Sequence, residues 1–165
     1  MRRLWTPWRM PYILGEEERV EGCLFCHVVQ QNEDRKTYLL YRGERCYVML
    51  NRYPYNNGHL LVVPYAHVSS LEALTPETAA RFMVQVQRSL RILRDAYRPD
   101  GFNMGINEGE AAGAGIEEHV HFHIVPRWSG DSNYMGVVGD TRVIPELLEE
   151  TFEQLAPRFA VLKDE

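Results

Sequence analysis

Apolar residues concentrate in two runs that a polar loop separates in the first half of the chain. Cys46–Leu50 is a short apolar run, and His59–Pro64 encloses Leu-Leu-Val-Val between its ends. Residues 51–58 between them read Asn-Arg-Tyr-Pro-Tyr-Asn-Asn-Gly, which is dense in turn-forming residues. We therefore predict two buried strands that form a hairpin with a long connecting loop.

A helix with clear start and stop signals follows the second run. Thr75-Pro76-Glu77 supplies an N-cap residue, a proline for the first helical position and an acidic side chain for the first turn. Apolar residues then recur at helical spacing as far as Leu93, and Pro99-Asp100-Gly101 predicts the end of this helix. A second helix is predicted from Pro145 to about Phe159.

Two further strands are predicted on either side of a glycine-rich loop. Phe102–Ile106 has strand character, and His119–Val125 alternates histidines with apolar residues until Pro126, where we expect the strand to stop. The loop Glu108–Gly115 between them carries three glycines and three alanines. Strands and helices mix without a regular βαβ rhythm, so the predicted fold class is α+β. We expect an antiparallel sheet of about five strands with one long helix and a C-terminal helix.

Length and composition are those of one globular domain. The chain has 165 residues, 45% apolar and 25% charged, which is typical of a soluble protein with a hydrophobic core. We take residues 1–165 as a single domain, with an N-terminal arm over about residues 1–20 and a C-terminal helical extension over about residues 140–165.

Two properties of the chain narrow the classes of partner. No apolar run approaches the ~20 residues of a membrane span, and the basic start lacks the apolar stretch of a secretory signal. We therefore expect a cytoplasmic protein with no membrane partner. The formal net charge of −5 disfavours nucleic-acid binding, but a locally basic pocket would still accept a nucleotide.

The segment His119–Val125 carries most of the chemical information. Because alternate side chains of a strand share a face, its three histidines point one way and the apolar residues between them point the other. The apolar face has to be buried, so the histidine face lines a metal, an anion or solvent. A solvated face is an unusual place for three of six histidines, and a pure metal site leaves the glycine-rich loop and His59 unexplained.

The alternation of histidine with apolar residues is the signature of the histidine triad (HIT) family, which this chain resembles over about residues 20–130. The branch it resembles most is that of bacterial diadenosine tetraphosphate phosphorylases and hydrolases. Further segments that match family or branch motifs are Leu4–Arg9, Leu50–Pro54, Gly58–Pro64, Phe102–Gly109, Ala112-Gly113 and Pro126–Asp131. The resemblance implies a HIT-like fold and an enzyme that acts on adenine nucleotides or dinucleoside polyphosphates.

The same resemblance implies roles for three histidines. His121 is the expected nucleophile, which attacks the α-phosphorus and gives a covalent nucleotidyl-histidine that water or orthophosphate then releases. His123 and His59 are expected near the phosphate oxygens, where they could stabilise developing charge. A satisfied core histidine is the alternative for His59.

Four further residues are expected to bind the substrate. Asn51 matches a family position that contacts the ribose and Asn107 one that binds phosphate. Gly113 and Gly115 belong to a turn, continuing to Ile116, whose backbone amides could face an anion. Turn-capping asparagines and ordinary loop glycines are the alternatives.

The acceptor of the nucleotidyl group stays open at this point. Gly115 stands where many family members have a glutamine, and it also lacks the serine hydroxyl that the phosphorylase branch is expected to carry there. Hydrolysis and phosphorolysis are both compatible with the sequence. Two further alternatives are a nucleoside phosphoramidase of the same family and a zinc-stabilised nucleotide sensor with little turnover. Detection of a covalent nucleotidyl adduct would distinguish the enzymes from the sensor.

Cys23 and Cys26 form a Cys-x-x-Cys pair, which is half of a tetrahedral zinc site. A redox dithiol, plain buried cysteines and a nucleic-acid zinc finger are the alternatives, and the net charge disfavours the last. The resemblance adds His67 and His119, because zinc-containing HIT proteins pair such cysteines with two histidines; His27 is a substitute ligand. Four protein ligands predict a closed, structural Zn²⁺ site.

The family also implies an assembly. HIT proteins join two sheets edge to edge, so we expect a homodimer. For the phosphorylase branch a tetramer is a further prediction, with the Trp-rich N-terminal arm as the candidate contact.

Overall fold

The computed structural model describes residues 22–131 and 146–162, and its centre is one antiparallel sheet. The strands, in chain order, are β1 (Leu39–Arg42), β2 (Cys46–Leu50), β3 (Leu60–Pro64), β4 (Gly101–Gly105) and β5 (Phe122–Arg127). They are hydrogen-bonded in the order β1-β2-β3-β5-β4, so β5 lies inside the sheet and β4 lies at an edge. The predicted α+β class and the five-stranded antiparallel sheet are confirmed.

Four helices accompany the sheet within the described residues. They are α1 (Leu24–Gln30), α2 (Asp34–Thr37), α3 (Pro76–Tyr97) and α4 (Leu148–Phe159), with short 3-10 turns at Leu71–Ala73 and Glu110–Ala112. The sequence pattern predicts α3 and α4 but not α1, α2 or β1. The predicted C-terminal helix is α4, but it begins at Leu148 and not at Pro145, since residues 146 and 147 are not helical. Pro145 itself and the N-terminal arm lie outside the described residues.

The predicted hairpin is the β2–β3 pair. Its register runs from Cys46 opposite Pro64 to Leu50 opposite Leu60, and all residues of both strands are buried. Burial on both faces explains why these strands read as continuous apolar runs and not as an alternation.

Helix α3 begins where the capping signal predicts. The Thr75 hydroxyl accepts a hydrogen bond from the Thr78 N–H at 3.2 Å, and Pro76 takes the first helical position, where its missing N–H costs nothing. The helix ends at Tyr97, because Arg98 adopts the left-handed conformation with φ of 46°. The predicted end before Gly101 is confirmed.

The sheet separates two apolar clusters. One lies against α3 and α4 and takes alternate strand residues such as Val48, Val62 and Ile124. The other lies against α1 and takes the residues between them, such as Met49 and Leu61. Alternation in the strands therefore gives the sheet an α3 face and an α1 face.

The strand predicted over His119–Val125 is displaced. β5 begins at Phe122 and continues through Pro126 to Arg127, so residues 119–121 lie in an irregular segment outside the ladder. β3 begins at Leu60, opposite Ile124, so β5 pairs only with β4 beyond that point. Pro126 therefore removes no hydrogen bond from a β3 ladder, and the expectation that it stops the strand is wrong.

Among the described residues, none of the helices combines the length and apolar character that crossing a bilayer requires.

Candidate active site and metal centre

The three predicted catalytic side chains meet on the α1 face of the sheet. β3 and β5 are neighbours, with Leu61 opposite His123, and this pairing brings His59 to His123. The distance from His59 Nε2 to His123 Nδ1 is 3.0 Å, and the His121 and His123 ring centroids lie 4.8 Å apart. These contacts join the three imidazoles into one continuous group, in which His59 and His121 are buried.

Hydrogen bonding fixes the tautomer of His121. Its Nδ1 lies 2.9 Å from the carbonyl oxygen of His119. Because a carbonyl can only accept, Nδ1 carries the proton and donates it. In the neutral ring, Nε2 then has an unprotonated lone pair, which is the form that a nucleophile requires.

A second chain of hydrogen bonds fixes the tautomers of His59 and His123. The Tyr55 N–H donates to His59 Nδ1 at 3.0 Å, so the neutral His59 ring carries its proton on Nε2. That proton is donated to His123 Nδ1, which leaves the His123 proton on Nε2. The arrangement therefore gives His123 a defined donor atom on the side of its ring away from His59.

Burial favours the neutral forms of His121 and His123. It is the main cause that lowers the pKa of His121, against a smaller opposing effect of the hydrogen bond to the His119 carbonyl. For His123, burial and then the neighbouring His121 lower the pKa to about 4. A ring that is neutral near pH 7 can act as a nucleophile or as a neutral hydrogen-bond donor.

Asn51 lies at the edge of this group and serves the loop as well. Its Oδ1 accepts from the Tyr53 N–H at 2.9 Å, which is the turn-forming use that was the alternative interpretation. Its Nδ2 lies 3.3 Å from His59 Nδ1. Asn51 therefore braces the turn and contacts a predicted catalytic histidine.

The glycine-rich loop begins close to His123. Gly105, the last residue of β4, pairs with His123, and Asn107 follows two residues later. Gly113 has φ of 82°, a left-handed conformation that glycine adopts without strain. Its N–H donates to the Glu110 carbonyl oxygen at 2.9 Å.

The backbone amides of this loop are not equivalent. The N–H groups of Gly113 and Ala114 are used inside the loop, on the carbonyl oxygens of Glu110 and Gly109. Four amides, those of residues 113–116, are predicted to face an anion. Those of Gly115 and Ile116 make no hydrogen bond to another backbone group of this loop. The loop gives Gly113 a conformational role and leaves Gly115 as a candidate donor.

The four predicted metal ligands form a separate cluster behind the triad. The ligand atoms of Cys23, Cys26, His67 and His119 all lie within 4.8 Å of one another. Cys23 and Cys26 lie at the start of α1, His67 lies after β3, and His119 lies before β5. His27 is turned to the side chain of Gln31 and takes no part in the cluster.

His119 presents the correct nitrogen to this cluster. Its Nε2 donates to the Pro64 carbonyl oxygen at 2.9 Å, so the neutral ring has its lone pair on Nδ1. Nδ1 is also the atom that lies 3.2 Å from Cys23 Sγ and 3.4 Å from His67 Nδ1. Burial and the nearby Cys23 raise the pKa of the Cys26 thiol, an effect that a bound cation would reverse.

Phe25 joins the two groups and was not singled out by the sequence. It lies between the two cysteines, is 2% exposed, and its ring contacts the His119 and His121 rings at centroid distances of 5.4 Å and 4.8 Å. An apolar residue inside a Cys-x-x-Cys pair carries no sequence signal for such a contact.

Comparisons with known proteins agree with the geometry. The model of the HIT domain family matches residues 32–130. A curated protein of Mycobacterium tuberculosis named AP-4-A phosphorylase is 41% identical over 166 residues, which cover 97% of this chain and 85% of that protein. Protein hit of Bacillus subtilis is 32% identical over 143 residues, which cover 85% of this chain and 96% of that protein.

A solved structure with the same fold is described as zinc-bound. It is a Zn-bound histidine triad family protein of Mycobacterium smegmatis, with a TM-score of 0.68, 32% identity and coverage of 84% of this chain and 94% of that one. A family-model match over more than half of the chain, together with relatives over nearly its whole length, shows that this chain belongs to the HIT domain family.

Proposed function

We propose that this protein cleaves dinucleoside polyphosphates, with diadenosine tetraphosphate as its substrate, through a covalent nucleotidyl intermediate on His121. One observation carries the proposal: the His119 carbonyl holds the proton of His121 on Nδ1, so Nε2 is a lone pair ready to attack phosphorus. The relative named AP-4-A phosphorylase, 41% identical over almost the whole chain, supports the choice of substrate.

The proposed reaction has two displacements at one phosphorus atom. His121 Nε2 forms a bond to the α-phosphorus, the anhydride P–O bond breaks, and ATP leaves. An oxygen of orthophosphate then forms a bond to the same phosphorus, the N–P bond breaks, and ADP leaves. Orthophosphate is our choice of acceptor because the relative is named a phosphorylase.

The surrounding groups suit the charge that this reaction develops. His123 Nε2–H is a neutral donor whose orientation is set by the bond from His59. The Gly115 amide, on the loop that follows β4, is a second candidate donor to a phosphate oxygen. Asn51 and Asn107 are proposed to hold the ribose and a phosphate.

Product analysis tests the reaction directly. Diadenosine tetraphosphate is incubated with and without orthophosphate, and the nucleotides are separated by chromatography. We expect ADP and ATP, and only when orthophosphate is present. AMP and ATP in water alone would make the protein a hydrolase with the same nucleophile, and no turnover would favour the phosphoramidase or sensor alternatives.

A variant tests the nucleophile. Asn at position 121 can place its Nδ2 near the position of imidazole Nδ1 and keep the donor to the His119 carbonyl, while the nucleophilic nitrogen is lost. We expect His121→Asn to form no nucleotidyl adduct by mass spectrometry and to lose turnover. His27→Asn, a histidine outside both clusters, is the matched control and should behave as the wild type. Turnover by His121→Asn would exclude His121 as the nucleophile.

We also propose that Cys23, Cys26, His67 and His119 hold a structural Zn²⁺. A tetrahedral zinc ion with bonds of about 2.3 Å to sulfur and 2.0–2.1 Å to nitrogen keeps sulfur and nitrogen ligands about 3.6 Å apart and two nitrogens about 3.4 Å apart. Three of the four S–N distances here are 3.2, 3.5 and 3.6 Å and the N–N distance is 3.4 Å, all close to those values. All ligand atoms lie within 4.8 Å of one another, which supports one shared ion. With no open position, the ion would pin α1 to the strands and take no step in the reaction.

Elemental analysis of the purified protein tests the metal. We expect about one zinc per chain, retained in His121→Asn and lost in Cys26→Ser. Zinc retained at full stoichiometry by Cys26→Ser would contradict the proposed ligand set.

The predicted homodimer has a candidate surface in the edge strand β4. Among the strands of the described residues β4 pairs only with β5, and Met104 in it is 51% exposed. Light scattering is expected to give twice the chain mass of 19.2 kDa, and a monomer mass would end this proposal. The tetramer contact falls on the N-terminal arm, outside the described residues, and the cytoplasmic location stays a prediction that cell fractionation can check.

A further inference from the structure

The segment Pro126–Asp131, which matches a motif of the phosphorylase branch, is held together by hydrogen bonds to the Asp131 carboxylate. Arg127 grips the Asp131 carboxylate with two parallel hydrogen bonds, Nε to Oδ2 at 2.6 Å and Nη2 to Oδ1 at 2.7 Å. The Trp128 N–H also donates to Oδ2, at 3.2 Å, and the Asp131 side chain is only 13% exposed. The carboxylate is therefore held in one place at the end of β5.

Asn56 connects this carboxylate to the loop between β2 and β3. Its Nδ2 donates to Asp131 Oδ2 at 2.9 Å and to the Pro126 carbonyl oxygen at 3.1 Å. The Asn56 carbonyl in turn accepts from the His59 N–H at 3.2 Å. A single residue thus links a fixed carboxylate to the backbone of a histidine in the active site.

We infer that Asp131 and Asn56 form a clamp that positions His59 against His123. Residues 51–58 form a loop outside the sheet, so the position of the His59 ring depends on the hydrogen bonds that anchor this loop. The hydrogen bond from Asn56 to the charged carboxylate is stronger than a neutral one, and it joins the loop to the strand that carries His123. Asp131 and Asn56 act through His59 and are positioning residues.

The kinetic part of this inference rests on the proposed function, and it is tested with Asp131→Ala, Asn56→Ala and the double variant. In each single variant we expect kcat to fall by about tenfold or more with KM within about threefold, since a misplaced catalytic group costs rate more than binding. The kcat of the double variant should fall no further than that of the less active single variant, because both remove the same link. Single variants with kcat within about twofold of wild type, or additive effects, would overturn the clamp.

Asp100→Ala is the matched control. Asp100 Oδ2 accepts from the Ser129 N–H at 2.7 Å, so it braces the same turn without touching Asn56. We expect its kcat to stay within about twofold of the wild type, the spread of a surface change. An equal loss in Asp100→Ala would show that the turn as a whole matters and that the clamp is not specific.

A second readout does not depend on substrate. In the wild type, nitrogen NMR should show His59 protonated on Nε2 alone, because Nδ1 accepts from Tyr55. Loosening of the loop in either clamp variant should average the two His59 nitrogen signals, whereas Asp100→Ala should keep them distinct. Unchanged tautomers in both clamp variants would overturn the inference even if kcat fell.

The two readouts separate the clamp from the proposed function. If the wild type leaves diadenosine tetraphosphate intact, the proposed function fails and the nitrogen signals still decide the clamp. If circular dichroism shows that Asp131→Ala is unfolded at the assay temperature, Asn56→Ala carries the test, since it keeps the ion pair between Arg127 and Asp131.

Discussion

Acidification is predicted to destabilise the fold through His123. The pKa of His123 in the folded protein is about 4, below its ordinary value of 6.5, so between these values the unfolded chain binds more protons than the folded one. The stabilising contribution is therefore complete above pH 6.5 and is lost as the pH falls towards 4. The geometry also indicates that the pKa of His123 is lowered. A second proton on His123 would go to Nδ1, where it would face the proton that His59 Nε2 already donates.

The magnitude follows from the size of the pKa shift. A difference of about 2.5 pKa units at about 1.36 kcal/mol per unit corresponds to roughly 3 kcal/mol. At pH 4.5, where the folded ring is still mostly neutral, about 2 kcal/mol of this should already be lost. The loss is a large fraction of the roughly 5–15 kcal/mol that stabilises a typical domain.

Urea unfolding at pH 7 and at pH 4.5 measures this loss. His123→Gln keeps a polar side chain of similar reach but cannot titrate, so its free energy of unfolding should fall by about 2 kcal/mol less than that of the wild type. Carboxylates and the other histidines contribute to both proteins and cancel in the comparison. Equal losses in the two proteins, or an NMR titration of His123 with a midpoint near 6.5, would refute the reasoning.

Three substitutions test the packing that supports the site. Phe25→Ala should lower the free energy of unfolding by about 3–5 kcal/mol in urea, since the ring is 2% exposed; a loss below about 1 kcal/mol would contradict its place in the core. Gly58→Ala should cost about 1–2 kcal/mol in thermal unfolding, because φ is 70° and a Cβ would meet Tyr97 at 3.2 Å; an unchanged melting temperature would argue against this turn. Thr75→Ala should cost about 1 kcal/mol through loss of the N-cap bond, and Thr75→Ser should restore it.

The elements that the sequence predicts well are those whose signals are local. The β2–β3 hairpin follows from two apolar runs and a turn-rich loop, and the start of α3 follows from Thr75-Pro76-Glu77. We do not predict β1 from the sequence, although the apolar run Tyr38–Tyr41 before Arg42-Gly43 is a usable signal. The sequence does not predict α1, because seven residues are too few to show a helical period.

The histidine segment shows how a correct pattern gives a wrong boundary. The alternation of polar and apolar side chains is present, since Val120 and Ile124 lie in the cluster on the α3 face while His121 and His123 lie on the other. Alternation requires only an extended backbone, whereas a strand requires a paired neighbour. Before Phe122 the segment makes isolated bonds, such as the one from the Val120 N–H to the Val68 carbonyl oxygen at 2.7 Å, and no ladder.

The sequence indicates which residues belong to the candidate site but not the hydrogen bonds that connect them. A resemblance to the family names the triad and the metal ligands, but the tautomers depend on backbone groups that sequence does not place, among them the Tyr55 N–H and the Pro64 carbonyl. The link from Asp131 to Asn56 spans 75 positions of the chain. Contacts of that separation depend on the strand order, which only the folded sheet reveals.

His119 belongs to both the candidate metal centre and the candidate active site. Its Nδ1 belongs to the ligand cluster, its Nε2 donates to the Pro64 carbonyl, and its own carbonyl accepts the Nδ1 proton of His121. The side chain and the main chain of one residue thus serve the two sites. A bound ion that held the His119 ring would also hold the carbonyl that keeps the His121 proton on Nδ1. A closed metal site without an open position would then still affect the tautomer of the proposed nucleophile.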